Sequence, residues 1–134
     1  MFEVTVEHSF AAGHSLREYK GKCENVHGHN YRIQVTVEGE ELNRIGLLVD
    51  FVELKKAVRA VCEVLDHQFI NDLEPFTIVN PSAENIAKYL YDNVDAMLNL
   101  SRYSPPVRIS QVKVWETDTS IALYRPPAAT AVRN

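Results

Sequence analysis

Cysteine is scarce in this chain. Only Cys23 and Cys62 occur among its 134 residues, in unlike contexts, so no disulfide framework holds the fold. That usage points to a reducing compartment, the cytoplasm. Basic runs are missing as well: the net charge is −4, with 14 lysines and arginines against 18 acidic residues. Nucleic acid and anionic membrane surfaces are therefore poor partners. No apolar stretch approaches the ~20 residues of a membrane span. The opening MFEVTVEHSF has no basic region followed by an apolar one, as a secretory signal would. Internal repeats and low-complexity segments are lacking too. What remains is an ordinary globular composition, 46% hydrophobic and 24% charged. A single domain of this size buries roughly two-thirds of its unfolded surface and needs no staple to fold.

The hydrophobic periodicity divides the chain cleanly. Phe2, Val4 and Val6 alternate with Glu3, Thr5 and Glu7, which predicts a half-buried strand. Tyr31, Ile33, Val35 and Val37 alternate with Arg32, Gln34, Thr36 and Glu38 in a second one. The polar connection between them, about residues 13–26, is long for a hairpin, and such loops are usually functional. After a turn region between Gly39 and Gly46, Asp50 with Glu53 forms a capping-box pattern. Leu54, Val58, Val61 and Leu65 recur at helical spacing, and this helix should end near Asp66. A second helix is predicted to start around Asn80-Pro81-Ser82, with proline in its first turn. Its stripe is Ile86, Leu90, Val94, Met97 and Leu98. Beyond Ser104-Pro105-Pro106, strands over 107–116 and 121–124 flank a turn. The order β-β-α-α-β-β predicts an α+β domain over residues 1–125, a four-stranded antiparallel sheet with both helices on one face. A tail, 126–134, has no periodicity. Sheet edges left uncovered favour an oligomer.

All five histidines lie in the first half of the chain. His27 and His29 sit at i and i+2, the spacing that puts two strand side chains on one face. Their odd parity matches Tyr31 to Val37, the apolar set. His14 shares the even parity of Val4 and Val6, unless Ala12-Gly13 bulges. If the strands pair, three imidazoles converge at one end of the sheet. Three histidine nitrogens suit Zn²⁺ and leave a fourth position open for substrate. A closed structural site that adds Cys23 is equally compatible with the spacing. Nothing near His8 completes a site. Asp66-His67 pairs a carboxylate with an imidazole, although a helix C-terminus alone explains a histidine there. Glu116 has the parity of Val112 and Val114, so its carboxylate either heads the apolar face and calls for a partner with N–H donors, or is already exposed past a strand that ends at Trp115. Cys62 belongs to the helix core. Arg17, Lys20 and Lys22 read as solvating the long loop.

The segments FAAGHSL, CENVHGHNY, LLVDFVELK, LDHQFIND, NPSAENIA and VWETDTSIALY, in that order, resemble the 6-pyruvoyltetrahydropterin synthase family, including its bacterial 6-carboxytetrahydropterin synthase branch. The resemblance covers nearly the whole chain. It implies the T-fold, with subunits joined into barrel-forming rings that stack head to head as a homohexamer, a dimer of trimers with active sites between subunits. It further implies Zn²⁺ on His14, His27 and His29, Cys23 as general base, Asp66 and His67 in proton transfer, and Glu116 as anchor of the pterin. The implied substrate is 7,8-dihydroneopterin triphosphate. The C-x₃-HGH spacing resembles the bacterial branch of queuosine biosynthesis, whose products are 6-carboxytetrahydropterin, acetaldehyde and triphosphate. A further branch resembles E-x₂-HGH and forms 6-hydroxymethyl-7,8-dihydropterin for folate synthesis. Cys23-Glu24 satisfies both patterns. A 6-pyruvoyltetrahydropterin product and a non-catalytic, zinc-stabilised interaction domain stand as alternatives.

Overall fold

The computed structural model of the chain describes residues 1–21 and 24–127. Four strands form one antiparallel sheet in sequence order: β1 (Phe2–His14), β2 (His27–Gly39), β3 (Arg108–Thr117) and β4 (Ser120–Tyr124). Two helices, α1 (Phe51–Leu65) and α2 (Ala83–Leu98), connect β2 to β3. Helix α1 packs on β1, α2 packs on β3 and β4, and the helices touch each other. This is the α+β order expected from the periodicity. The tail expected over 126–134 lies outside the described residues from position 128 onward.

The register of β1 on β2 is unbroken from Phe2↔Gly39 to His14↔His27, so no bulge forms at Ala12-Gly13. Even residues of β1 and odd residues of β2 therefore share a face. Val6, Phe10, Ala12, Tyr31, Ile33, Val35 and Val37 are buried there beneath the helices. Both strands run further than their alternating segments, which shortens the connection to residues 15–26. Gly39 is required by close approach: a Cβ would come within 2.8 Å of Leu48 Cδ1 and 3.0 Å of the Pro106 carbonyl oxygen.

Helix α1 buries Leu54, Val58, Val61 and Leu65, together with Ala57 and Cys62. Asp50 caps it by accepting from Val52 N–H at 2.8 Å. Glu53 does not complete the box; it accepts instead from the Tyr103 hydroxyl at 2.9 Å. In α2 the buried stripe Ile86, Leu90, Val94, Leu98 steps by four residues, and Met97 falls off it, 55% exposed. Ser82 caps α2 by accepting from Asn85 N–H. Pro81 thus precedes the helix rather than opening it, and its carbonyl is free for another use.

Candidate metal centre and active site

The paired ends of β1 and β2 bring three imidazoles together. His14, His27 and His29 each place a ring nitrogen within 4.8 Å of the others. The cause is the alternation itself: Ala12↔His29 and His14↔His27 are register pairs, and all three rings lie on the core-side face. Burial grades outward. His14 is 2% exposed, the His29 side chain 20% and that of His27 46%. One side of the cluster is thus closed by protein and the other is open.

His14 Nδ1 lies 2.7 Å from the Pro81 carbonyl oxygen. A carbonyl only accepts, so Nδ1 carries a proton, and in the neutral ring it is Nε2 that is free to ligate. Among the described residues, His14 Nε2 and His29 Nε2 are buried and have no hydrogen-bond partner. Orphaned buried nitrogens are costly unless something coordinates them. Burial, the largest influence, lowers the His29 pKa, and His14 and His27 act in the same sense. The neutral form so favoured is the one that ligates a metal. The residues present therefore fit a metal ion such as Zn²⁺. Tyr31 floors the cluster, edge-on to His14 and His29 and stacked on Phe10 at 5.1 Å.

Two carboxylates flank the histidines. Glu116 occupies a bulge in β3, skipped in the pairing with β4 between Trp115 and Thr117. Its oxygens lie 3.7 Å from His14 Nε2 and 3.9 Å from His29 Nε2. It has the core-side direction its parity implied. A cavity of about 250 Å³ opens beside it, bounded by Leu16, Ser82, Ala83, Glu84 and Ile121 at the N-terminus of α2. On the other side, Glu24 Oε1 is 3.4 Å from His27 Nε2. The same oxygen accepts from Leu16 N–H at 3.1 Å, while Glu24 N–H donates to the Leu16 carbonyl at 3.0 Å. Cys23, the sequence candidate for general base, and Lys22 lie outside the described residues.

Asp66 and His67 form a pair, Oδ1 to Nδ1, at 3.0 Å. They stand against the free edge of β1: Ala11 N–H donates to Asp66 Oδ1 at 3.0 Å, and His67 N–H donates to the Ala11 carbonyl at 2.6 Å. The Ala11 N–H is the main reason the Asp66 carboxyl sits below the ordinary aspartate value, with His67 reinforcing it. The His67 side chain is 80% exposed and its backbone is left-handed, φ 59°. His67 borders a cavity of about 390 Å³ that Ala12, Gly13, Gly28, Asn30 and the proposed ligand His29 also line. Within one chain the pair makes no hydrogen bond or ion pair with His14, His27 or His29 among the described residues.

Arg17 departs from its sequence reading. Its guanidinium donates to the carbonyls of Phe76 at 2.6 Å and of Asn71 and Val79 at 3.4 Å. It fastens the loop before α2 rather than solvating its own. Asn71 and Asn80 bond the main chain around Arg17, with partners 56 and 63 residues away; Asn80, a candidate cap of the second helix by sequence, serves Arg17 while Ser82 caps.

Comparison with known proteins agrees with this geometry. The family described as 6-pyruvoyl tetrahydropterin synthase matches residues 3–127. The 6-carboxy-5,6,7,8-tetrahydropterin synthase of Bacillus subtilis (strain 168) is 41% identical over 130 residues, covering 93% of this chain and 86% of that protein. The human 6-pyruvoyl tetrahydrobiopterin synthase is 34% identical over 137 residues, with 92% and 90% covered. Among solved structures, the 6-pyruvoyl tetrahydropterin synthase of Caenorhabditis elegans superposes with a TM-score of 0.77 at 30% identity, covering 95% of this chain and 98% of that one.

Proposed function

The chain belongs to the 6-pyruvoyl tetrahydropterin synthase family, and we propose that it converts 7,8-dihydroneopterin triphosphate and one water to 6-carboxy-5,6,7,8-tetrahydropterin, releasing acetaldehyde and triphosphate. In this reading the enzyme serves queuosine biosynthesis in the cytoplasm. The observation that carries it is the C-x₃-HGH segment, whose two histidines gather with His14 into a set of nitrogens lying within 4.8 Å of one another. The identity to the Bacillus subtilis relative supports the same product.

His14, His27 and His29 would hold Zn²⁺, which when bound supplies Lewis acidity toward the substrate's side-chain hydroxyls. The chain's own groups divide the remaining work. Glu116 receives the guanidine-like edge of the pterin through two parallel N–H···O bonds, and the cavity beside it supports that role. Cys23 takes the proton from the side-chain carbon, a task suited to a thiolate near a cation. Asp66 orients His67, which moves protons on the open side. Within one chain this pair makes no hydrogen bond or ion pair with the histidines among the described residues, and in this reading a second copy of the chain completes the site. The uncovered outer edge of β4, among the described residues, supports ring assembly, read here as a homohexamer of two stacked trimers.

A second reading has a specific observation in its favour. Glu24 holds its carboxylate 3.4 Å from His27 Nε2. From there it serves as base on a different carbon of the same side chain, giving 6-hydroxymethyl-7,8-dihydropterin for folate synthesis. Incubating the wild type, Cys23→Ala and Glu24→Ala chains with 7,8-dihydroneopterin triphosphate separates the routes. Loss of 6-carboxytetrahydropterin in Cys23→Ala alone supports the leading reading. Loss of 6-hydroxymethyldihydropterin in Glu24→Ala alone establishes a second base. Loss of both products in Cys23→Ala rules out an independent Glu24 route.

A further inference from the structure

The residues after β1 continue its extended pairing in an unusual way. Ser15, Leu16 and Arg17 each have both main-chain groups taken by a single residue. Asn71 accepts from Ser15 N–H at 3.0 Å and donates to the Ser15 carbonyl at 2.8 Å. Asn80 does the same for Arg17, at 2.8 and 3.0 Å. Glu24 takes both groups of Leu16 on the other edge.

The outer edge therefore reads 11, 13, 15, 17, and every position bonds to the segment between Asp66 and Asn80. Ala11 pairs with Asp66 and His67, and Gly13 N–H donates to the Gln68 carbonyl at 3.0 Å. Two asparagine amides then carry on what backbone amides begin. A carboxamide offers one acceptor and one donor at the spacing of a peptide unit, so it substitutes for a strand neighbour. Pro81, next to Asn80, accepts from the His14 ring.

We infer that Asn71 and Asn80 are positioning residues of the metal centre: they lock the main chain on the far side of His14 so that its bare Nε2 meets His27 and His29. The inference rests on the reading of those histidines as ligands. It goes beyond that reading by assigning site geometry to two amides that touch neither metal nor substrate. A strand end left free would swing His14 about its own backbone, while the Pro81 bond fixes only the ring. Asn71 is 8% exposed, so the lock works out of reach of competing water. Partners bonded to a ligand itself change metal affinity by roughly 10–100-fold when removed, and the asparagines, which act on the main chain beside the ligand, should work near the lower end of that range.

The test is zinc affinity, measured by competition with a chromophoric chelator, together with far-ultraviolet circular dichroism. Asn71→Ala and Asn80→Ala should each bind zinc at least tenfold more weakly than wild type while keeping the helical signal. Val58→Ala, which trims the buried core of α1, should lose thermal stability yet bind zinc within twofold of wild type. If Asn71→Ala does not fold, Asn80→Ala, at the less buried end, decides. Folded asparagine variants that bind zinc as wild type does overturn the inference, and so does an equal loss in Val58→Ala. A wild-type chain that binds no zinc overturns instead the ligand reading beneath it.

Discussion

The carbonyl oxygen of Pro81 accepts from Nδ1 of His14 at 2.7 Å, and this contact decides which nitrogen of His14 faces His27 and His29. A buried imidazole has two tautomers, and only one leaves Nε2 free to ligate. The chain reaches across 67 residues to choose it.

Replacing that ring tests the centre directly. His14→Ala should reduce bound zinc from one per chain to a small fraction at micromolar metal, read by elemental analysis after gel filtration. A ligand lost from a three-histidine set should cost at least the ~10–100-fold that a supporting partner costs. Full zinc content in His14→Ala would contradict the assignment.

Metal removal separates a catalytic from a structural ion. The core under the sheet, from Val6 to Val114, is buried without help from the histidines. Treatment with a strong chelator should therefore abolish turnover while leaving the helical signal and a cooperative thermal transition. Collapse of the fold on chelation would favour the non-catalytic, zinc-stabilised domain.

Asp66 gives a signed prediction in pH. Its folded pKa is depressed below the ordinary 3.8, first by the Ala11 N–H. A depressed carboxyl stabilises the fold fully above that ordinary value, and the contribution is lost as pH falls below it toward the native pKa. Thermal unfolding of wild type should weaken through that acid range more steeply than that of Asp66→Asn. Parallel acid profiles for the two chains would remove Asp66 as the cause.

Cys62 is fully buried, and burial, aided by the Asp66 carboxylate, pushes its thiol up to about 12. At pH 8 it stays a neutral thiol beneath the helices, and the thiolate is the reactive form. A Cys23→Ala chain should thus show no fast reaction with a thiol reagent until it is denatured. One equivalent titrated in the native state would contradict this burial.

What was legible in the sequence follows physical range. Strand alternation is local, so the parity of His14, His27 and His29 could be read from neighbours, and the register agrees; Glu116, one of two directions by sequence, turns toward His14 and His29. The helical stripe was equally readable except at Met97, which an i+3 step carries to the rim. The capping box at Asp50 and Glu53 failed because Tyr103, 50 residues away, takes Glu53. Arg17 differs from its reading for the same reason: a loop residue with a polar side chain looks solvated until a distant main chain supplies its partners, and the roles of Asn71 and Asn80 depend on equally distant partners. The family motifs named Asp66 and His67, but among the described residues of a single chain they make no hydrogen bond or ion pair with the histidines they are proposed to serve.

The central claim is the reaction. Incubating the zinc-loaded protein with 7,8-dihydroneopterin triphosphate and identifying the pterin by mass spectrometry tests it most directly. The account predicts 6-carboxy-5,6,7,8-tetrahydropterin with acetaldehyde in equal amount. Consumption of the substrate to 6-hydroxymethyl-7,8-dihydropterin alone, or no consumption at all, would contradict it.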